Sequence, residues 1–205
     1  RAFAPKPELL LLDEPFAALD PPSREMLVAD LREAIRATGT TCAVVTHDRS
    51  EAMALADRLG VIVGARLAQA GPTEEVLSHP ATEAVARFVG VENIVPVRVA
   101  GCAGGLLRLE ADGVVLLARH APVEAGSALA LIRAEDVRLM PPGEMSPGSV
   151  LCTVESLAPG LGGNELRLAP VGLRARLPRG NDLALRPGDQ VACAIAPERI
   201  GLVTR

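Results

Sequence analysis

The chain has 205 residues, 49% of them hydrophobic and 22% charged, with a formal net charge of −4 at pH 7. That composition belongs to a folded globular protein of one large or two small domains, and it excludes a disordered segment. The negative balance and the scarcity of aromatics, with no Trp or Tyr and only three Phe, argue against a nucleic-acid binder, which needs basic surface and stacking platforms.

The four cysteines, Cys42, Cys102, Cys152 and Cys193, show no C-x-x-C spacing, and no His stands near enough to complete a zinc site. The expectation is reduced, partly buried thiols in a cytosolic protein. No apolar run approaches the roughly 20 residues that span a bilayer, and no signal peptide is recognisable, so a role at a membrane calls for a partner. Arg1-Ala2-Phe3-Ala4-Pro5 lacks an initiator Met and reads as the tail of a helix, which makes a start inside a domain the expectation.

Residues 1–90 read as α/β. Leu9 to Leu12 is wholly apolar and ends in Asp13-Glu14-Pro15, the pattern of a strand buried on both faces of a parallel sheet. Pro21-Pro22 opens a helix, Leu27, Leu31, Ala34 and Ile35 share one of its faces, and Gly39 stops it. Thr40 to Thr46 is a second buried strand, followed directly by His47. Asp48 and Glu51 have capping-box spacing ahead of a helix over Ala52 to Ala56. Leu59 to Val63 and Arg66 to Ala70 flank Gly64-Ala65 as a hairpin. Thr73 to Leu77 and Thr82 to Val89 are short helices around His79-Pro80. Strand, helix, strand, helix predicts a parallel sheet with covering helices.

From about Val91 the helical period fades, and Gly, Pro and short Val/Leu/Ala runs predict many short strands in a small barrel. Ile132-Arg133-Ala134-Glu135-Asp136-Val137-Arg138-Leu139 matches Ile195-Ala196-Pro197-Glu198-Arg199-Ile200-Gly201-Leu202 in pattern, each after a Gly-containing turn, at Gly126 and Gly188. The expectation is two repeats over 95–140 and 148–205, joined by a Pro/Gly linker from Pro141 to Gly148.

The chemistry-bearing motif is the acid pair. Leu9-Leu10-Leu11-Leu12 delivers Asp13 and Glu14 to the C-terminal edge of a parallel sheet, where α/β folds bind ligands. Phosphoryl transfer needs a carboxylate near Mg²⁺ and a group that orients or deprotonates water. Asp13 suits the first role and Glu14 the second. Alone, such a pair is equally a solvated loop or a helix cap. Here Phe16-Ala17-Ala18-Leu19-Asp20 follows at once, and Val44-Val45-Thr46-His47-Asp48 comes one helix and one strand later.

The combination L-L-L-L-D-E-P-F-A-A-L-D and V-V-T-H-D resembles the Walker B segment, D-loop and switch histidine of ABC ATPases. The resemblance implies part of a P-loop NTPase domain over 1–90 that uses ATP and Mg²⁺. Asp13 would assist Mg²⁺ binding through water, Glu14 would be the catalytic base, Asp20 would couple two active sites across a dimer, and His47 would contact the γ-phosphate and the water. A helix cap is the competing reading for Asp20, and a loop histidine for His47. Gln69-Ala70-Gly71-Pro72-Thr73-Glu74-Glu75-Val76 also resembles the stretch after the switch histidine in importer ATPases. The sequence holds no G-x-x-x-x-G-K-[ST] loop and no L-S-G-G-Q-like signature, so the expectation is a fragment inactive alone.

The region from Val91-Glu92-Asn93-Ile94 resembles the TOBE/mop-type, OB-like β-domain of importer ATPases. That implies an energy-coupling subunit on the cytoplasmic face of the membrane, homodimeric and bound to transmembrane permease subunits; relatives with such domains handle molybdate, tungstate, sulfate, iron, polyamines or sugars, and general likeness makes an oxyanion such as molybdate, tungstate or sulfate the expected cargo or regulator. Gly101 to Gly105 and Gly160-Leu161-Gly162-Gly163-Asn164 offer backbone N–H groups to an anion, against the plainer reading of tight turns. No S-A-R-N-type molybdate segment occurs, and no anion ligands are assigned. Two other readings stand beside this one: a soluble ABC ATPase of DNA repair or translation, and a ligand-binding regulatory module with a truncated ATPase half.

Overall fold

The computed structural model describes residues 7–119, 126–145, 148–160, 162–181 and 183–204. The reading of Arg1 to Pro5 lies outside them, as do Leu161 in one glycine-rich turn and residues 146–147 of the Pro/Gly linker. Tertiary contacts divide the chain into two compact units, Arg1–Ser78 and His79–Arg205.

In the first unit, β1 (Leu9–Asp13) and β2 (Thr41–Val45) pair in parallel, from Leu9 opposite Thr41 to Asp13 opposite Val45. The helix α1 (Pro21–Thr38) connects them. Both prolines sit in its first turn, where their missing N–H groups are no loss. It ends at Gly39, whose φ of 64° is the left-handed geometry that favours glycine and whose N–H bonds the Ile35 carbonyl at 2.9 Å. The short helix α2 (Arg49–Leu55) packs on α1. Val28 is the buried residue of α1, whereas Leu27 is exposed.

The parallel pairing is as the sequence predicts, but burial of both strand faces is not. Leu9, Leu11 and Val45 are 53%, 69% and 58% exposed. A parallel pair needs a layer over each face. Among the described residues the sheet has two strands only, and one set of side chains faces outward.

β3 (Arg58–Val63) and β4 (Arg66–Pro72) form the expected antiparallel hairpin. Gly64 and Ala65 both have positive φ, 56° and 60°, as a two-residue hairpin turn with the right twist requires. Helix α3 (Thr73–Ser78) follows and buries Val76 completely.

The second unit opens with helix α4 (Glu83–Phe88), capped by Thr82, and is otherwise antiparallel sheet. A long strand β5 (Asn93–Ala103) leads into β6 (Leu106–Ala111), β7 (Val114–Arg119) and β8 (Ser127–Ile132). A 3₁₀ turn at Ala134–Asp136 then leads to the short β9 (Val137–Met140). The same series recurs as β10 (Val150–Gly160), β11 (Gly163–Ala169), β12 (Leu173–Pro178), β13 (Gln190–Ile195), a 3₁₀ turn at Pro197–Arg199, and β14 (Gly201–Thr204). The sheet orders are β14-β8-β5-β6-β7 and β9-β13-β10-β11-β12. The plans are identical and the last strands are exchanged: β9 pairs with β13, and β14 with β8. The two matching eight-residue segments carry the chain through the 3₁₀ turn into the exchanged strand.

Alternate residues of both sheets enter one core. Val95, Val97, Leu107, Leu109 and Leu116 meet Val154, Leu166, Leu168, Leu173 and Val191 there. Cys152 and Cys193 are also in it, while Cys102 is exposed. Asn93, 4% exposed, joins the sheets at their entry. Its side-chain amide donates to the Arg174 carbonyl at 2.9 Å and accepts the Arg174 N–H at 2.6 Å, imitating a strand partner at the edge of β12.

The glycine-rich turns serve the sheets. Gly104 and Gly105, at φ 61° and 79°, make the two-residue turn between β5 and β6. Gly163 lies where a Cβ would run into the Leu177 carbonyl of β12.

Candidate functional site

β1 ends at the acid pair. Asp13 is its last residue and is exposed. The ladder runs one bond further, with the Glu14 N–H donating to the Val45 carbonyl at 2.8 Å. Glu14 takes φ 45°, the left-handed region that side-chain-bearing residues rarely adopt. Such a conformation costs on the order of 1–3 kcal/mol and clusters at functional positions. It ends the strand and carries the carboxylate to His47.

His47 follows β2, and its Nδ1 lies 2.9 Å from each Glu14 oxygen. The ring is 81% exposed. The hydrogen bond to Glu14, then its negative charge, holds the imidazole pKa above the usual 6.5, with smaller help from Glu51 and Asp48. An ionised carboxylate at Nδ1 keeps the ring proton there, so Nε2 donates only when the imidazole is doubly protonated. The raised pKa extends the pH range over which both nitrogens are donors.

Asp20 is exposed and caps α1, accepting the Ser23 N–H at 3.3 Å. The Ser23 side chain and backbone together hold its carboxyl below the usual range. The structure thus joins Glu14 to His47, leaves Asp13 at the neighbouring strand end and commits the Asp20 carboxylate to capping.

Behind His47 lies a cluster that sequence reasoning did not assign. Asp48 caps α2, accepting the N–H groups of Ser50 at 2.7 Å and Glu51 at 3.2 Å. These bonds and the Arg24 charge hold its carboxyl low. The capping box is incomplete, because the Asp48 N–H donates to Thr46 Oγ1 at 3.0 Å instead of to Glu51. Glu51, 5% exposed, turns inward and accepts the Thr46 hydroxyl at 2.5 Å. Arg24, one turn into α1, donates to the Leu19 carbonyl at 3.1 Å and to Asp48 Oδ2 at 3.3 Å, and its Nε lies 3.6 Å from Glu51 Oε1. The available signal was a cation four residues after a cap, opposite two acids after a histidine.

Among the described residues, no three His, Cys, Asp or Glu side chains gather as a metal cluster. Mg²⁺ in phosphate sites rests on one or two carboxylates and fills its shell with water and phosphate oxygens. The exposed Asp13 carboxylate at the end of β1 has donor chemistry that fits this use.

No protein-family profile matches the chain. Curated proteins do. The molybdate/tungstate import ATP-binding protein WtpC of Thermococcus kodakarensis is 46% identical over 140 residues, 68% of this chain and 40% of that protein. WtpC of Pyrococcus horikoshii is 36% identical over 198 residues, 93% of this chain and 55% of that protein. The Fe(3+) ions import ATP-binding protein FbpC of Streptomyces coelicolor is 45% identical over 157 residues, 75% of this chain and 41% of that protein. Among solved structures, the molybdate-binding protein ModG gives a TM-score of 0.49 at 17% identity, over 57% of this chain and 98% of that one. The chain spans about half the length of the curated relatives it matches, from 40% to 55% of these three. Over the matched residues it is similar to these import ATP-binding subunits.

Proposed function

We propose that the chain is the C-terminal part of the ATP-hydrolysing, energy-coupling subunit of an ABC importer. Residues 1–90 form the second part of its P-loop ATPase domain, and 91–205 form an OB-like TOBE/mop-type β-domain built of two repeats. The observation that carries this reading is the 2.9 Å contact between Glu14 and His47 where β1 and β2 end. A carboxylate held by an imidazole at the C-terminal edge of parallel strands suits a base that takes a proton from water beside a phosphate.

In this reading Glu14 accepts the proton of the attacking water, and His47 keeps that carboxylate in place through Nδ1–H. When protonated, His47 also offers Nε2–H to a γ-phosphate oxygen. Asp13 would hold Mg²⁺ through water, which supplies charge neutralisation on the phosphates. Asp20, already at the head of α1, would meet the second subunit of a homodimer. The exposed faces of Leu9, Leu11 and Val45 are the places for the rest of the ATPase domain. Permease subunits would hold the assembly at the cytoplasmic face of the membrane. The two molybdate/tungstate import proteins among the relatives favour an oxyanion as cargo over the iron that the third relative's name carries.

The test is Glu14→Gln in the whole subunit. ATP binding should persist while turnover falls by 100-fold or more, on the order of what a general base contributes. Turnover within a few-fold of wild type refutes the assignment.

A further inference from the structure

Exposure of the His47 ring poses a question of placement. Among the described residues Glu14 is the hydrogen-bond partner of the ring, so the backbone on either side of His47 must help fix where the imidazole stands. Both neighbours are pinned from the same place. Thr46 Oγ1 bridges Glu51 and the Asp48 N–H, and Asp48 also accepts from Arg24. Arg24 in turn holds the Leu19 carbonyl, the residue before Asp20. One guanidinium therefore touches both the segment that carries Asp20 and the segment that carries His47.

Helix capping does not account for this arrangement. Asp48 caps α2 without help from the Glu51 side chain, and Thr46 takes the N–H that a capping box would give to Glu51. What remains is a carboxylate at 6% side-chain exposure facing a guanidinium. With Arg24 itself 30% exposed the pair is half-buried; such a pair is seldom worth more in stability than an apolar replacement, and a role in fixing conformation is one reason to keep it.

We propose that Arg24, with Glu51 and Thr46, forms a positioning clamp that seats His47 on Glu14 and ties that placement to the Asp20 segment. The inference rests on the roles proposed above for Glu14, His47 and Asp20.

The test reads the imidazole directly. In the 205-residue chain, above the pH at which His47 loses its second proton, ¹⁵N shifts should show the Nδ1–H tautomer as the major form. A free imidazole favours Nε2–H. Arg24→Met and Thr46→Val should each make Nδ1–H the minor form, and Thr46→Ser, which keeps the hydroxyl, should restore it. In the whole subunit, Arg24→Met should lower kcat roughly 10-fold or more, as a misplaced catalytic group does, with KM for ATP unchanged. Thr46→Val changes little volume, so it decides the matter if Arg24→Met does not fold. Folded Arg24→Met or Thr46→Val protein with the wild-type tautomer overturns the clamp and leaves the Glu14 assignment standing. Full turnover in Glu14→Gln overturns that assignment, and the tautomer still decides the clamp separately.

Discussion

Ending the chain after Arg199 removes β14, and the exchanged topology sets the size of the effect. Ile200 and Val203 are 7% and 6% exposed. Complete burial of such side chains stabilises by about 1.5–3 kcal/mol each, so the two account for roughly 3–6 kcal/mol. The strand also covers the free edge of β8, from Ala128 to Leu131, so its backbone hydrogen bonds are lost as well. Against a typical domain stability of about 5–15 kcal/mol, the truncated second unit should be marginal. Because β14 belongs to the sheet of β5 to β8, the damage should fall on the half of the unit distant in sequence. Urea unfolding followed by circular dichroism measures the stability change, and amide exchange of Val95, Val97 and Leu129 locates it. A loss under about 1 kcal/mol, or lost protection confined to β10–β13, would refute the exchange.

The folded-state pKa of His47 lies above its unfolded value, so the Glu14 contact contributes its full stabilisation below about pH 6.5. That contribution fades as pH rises through the folded pKa, and Glu14→Gln should flatten the dependence in urea midpoints measured from pH 6 to 9. Gly163→Ala should cost at least about 2 kcal/mol, since positive φ and a collision with the Leu177 carbonyl act together. Gly104→Ala, with positive φ and open space around it, should cost only about 1 kcal/mol in the same urea assay.

Local chemistry was legible in the sequence wherever a short segment determines the outcome. Pro21-Pro22 and Gly39 bound α1, Gly64-Ala65 turns the β3–β4 hairpin, and the apolar run before Asp13 is a strand beside Thr41–Val45. The approach of Glu14 to His47 followed from two strand ends pointing the same way. Long-range pairing was not legible. Nothing near β9 or β14 marks them as partners of the opposite sheet, and Asn93 meets Arg174 across 81 positions. Glu51 shows the limit within a motif. Its spacing from Asp48 fits a capping box, but the nearby Thr46 hydroxyl and Arg24 guanidinium compete for its carboxylate and win. The exposure of Leu9 and Leu11 is of a similar kind, since apolar composition predicts burial without saying what covers the strand.

The most direct measurement of the proposed Glu14–His47 pair is ATP turnover by the whole subunit carrying Glu14→Gln and His47→Ala singly and together. Residues that act as one unit are not additive. Measured above the folded-state pKa of His47, where Nε2 offers no proton to the phosphate, the double variant should therefore turn over about as slowly as Glu14→Gln alone. Losses that multiply across the two substitutions would contradict the pair, because each side chain would then act without the other.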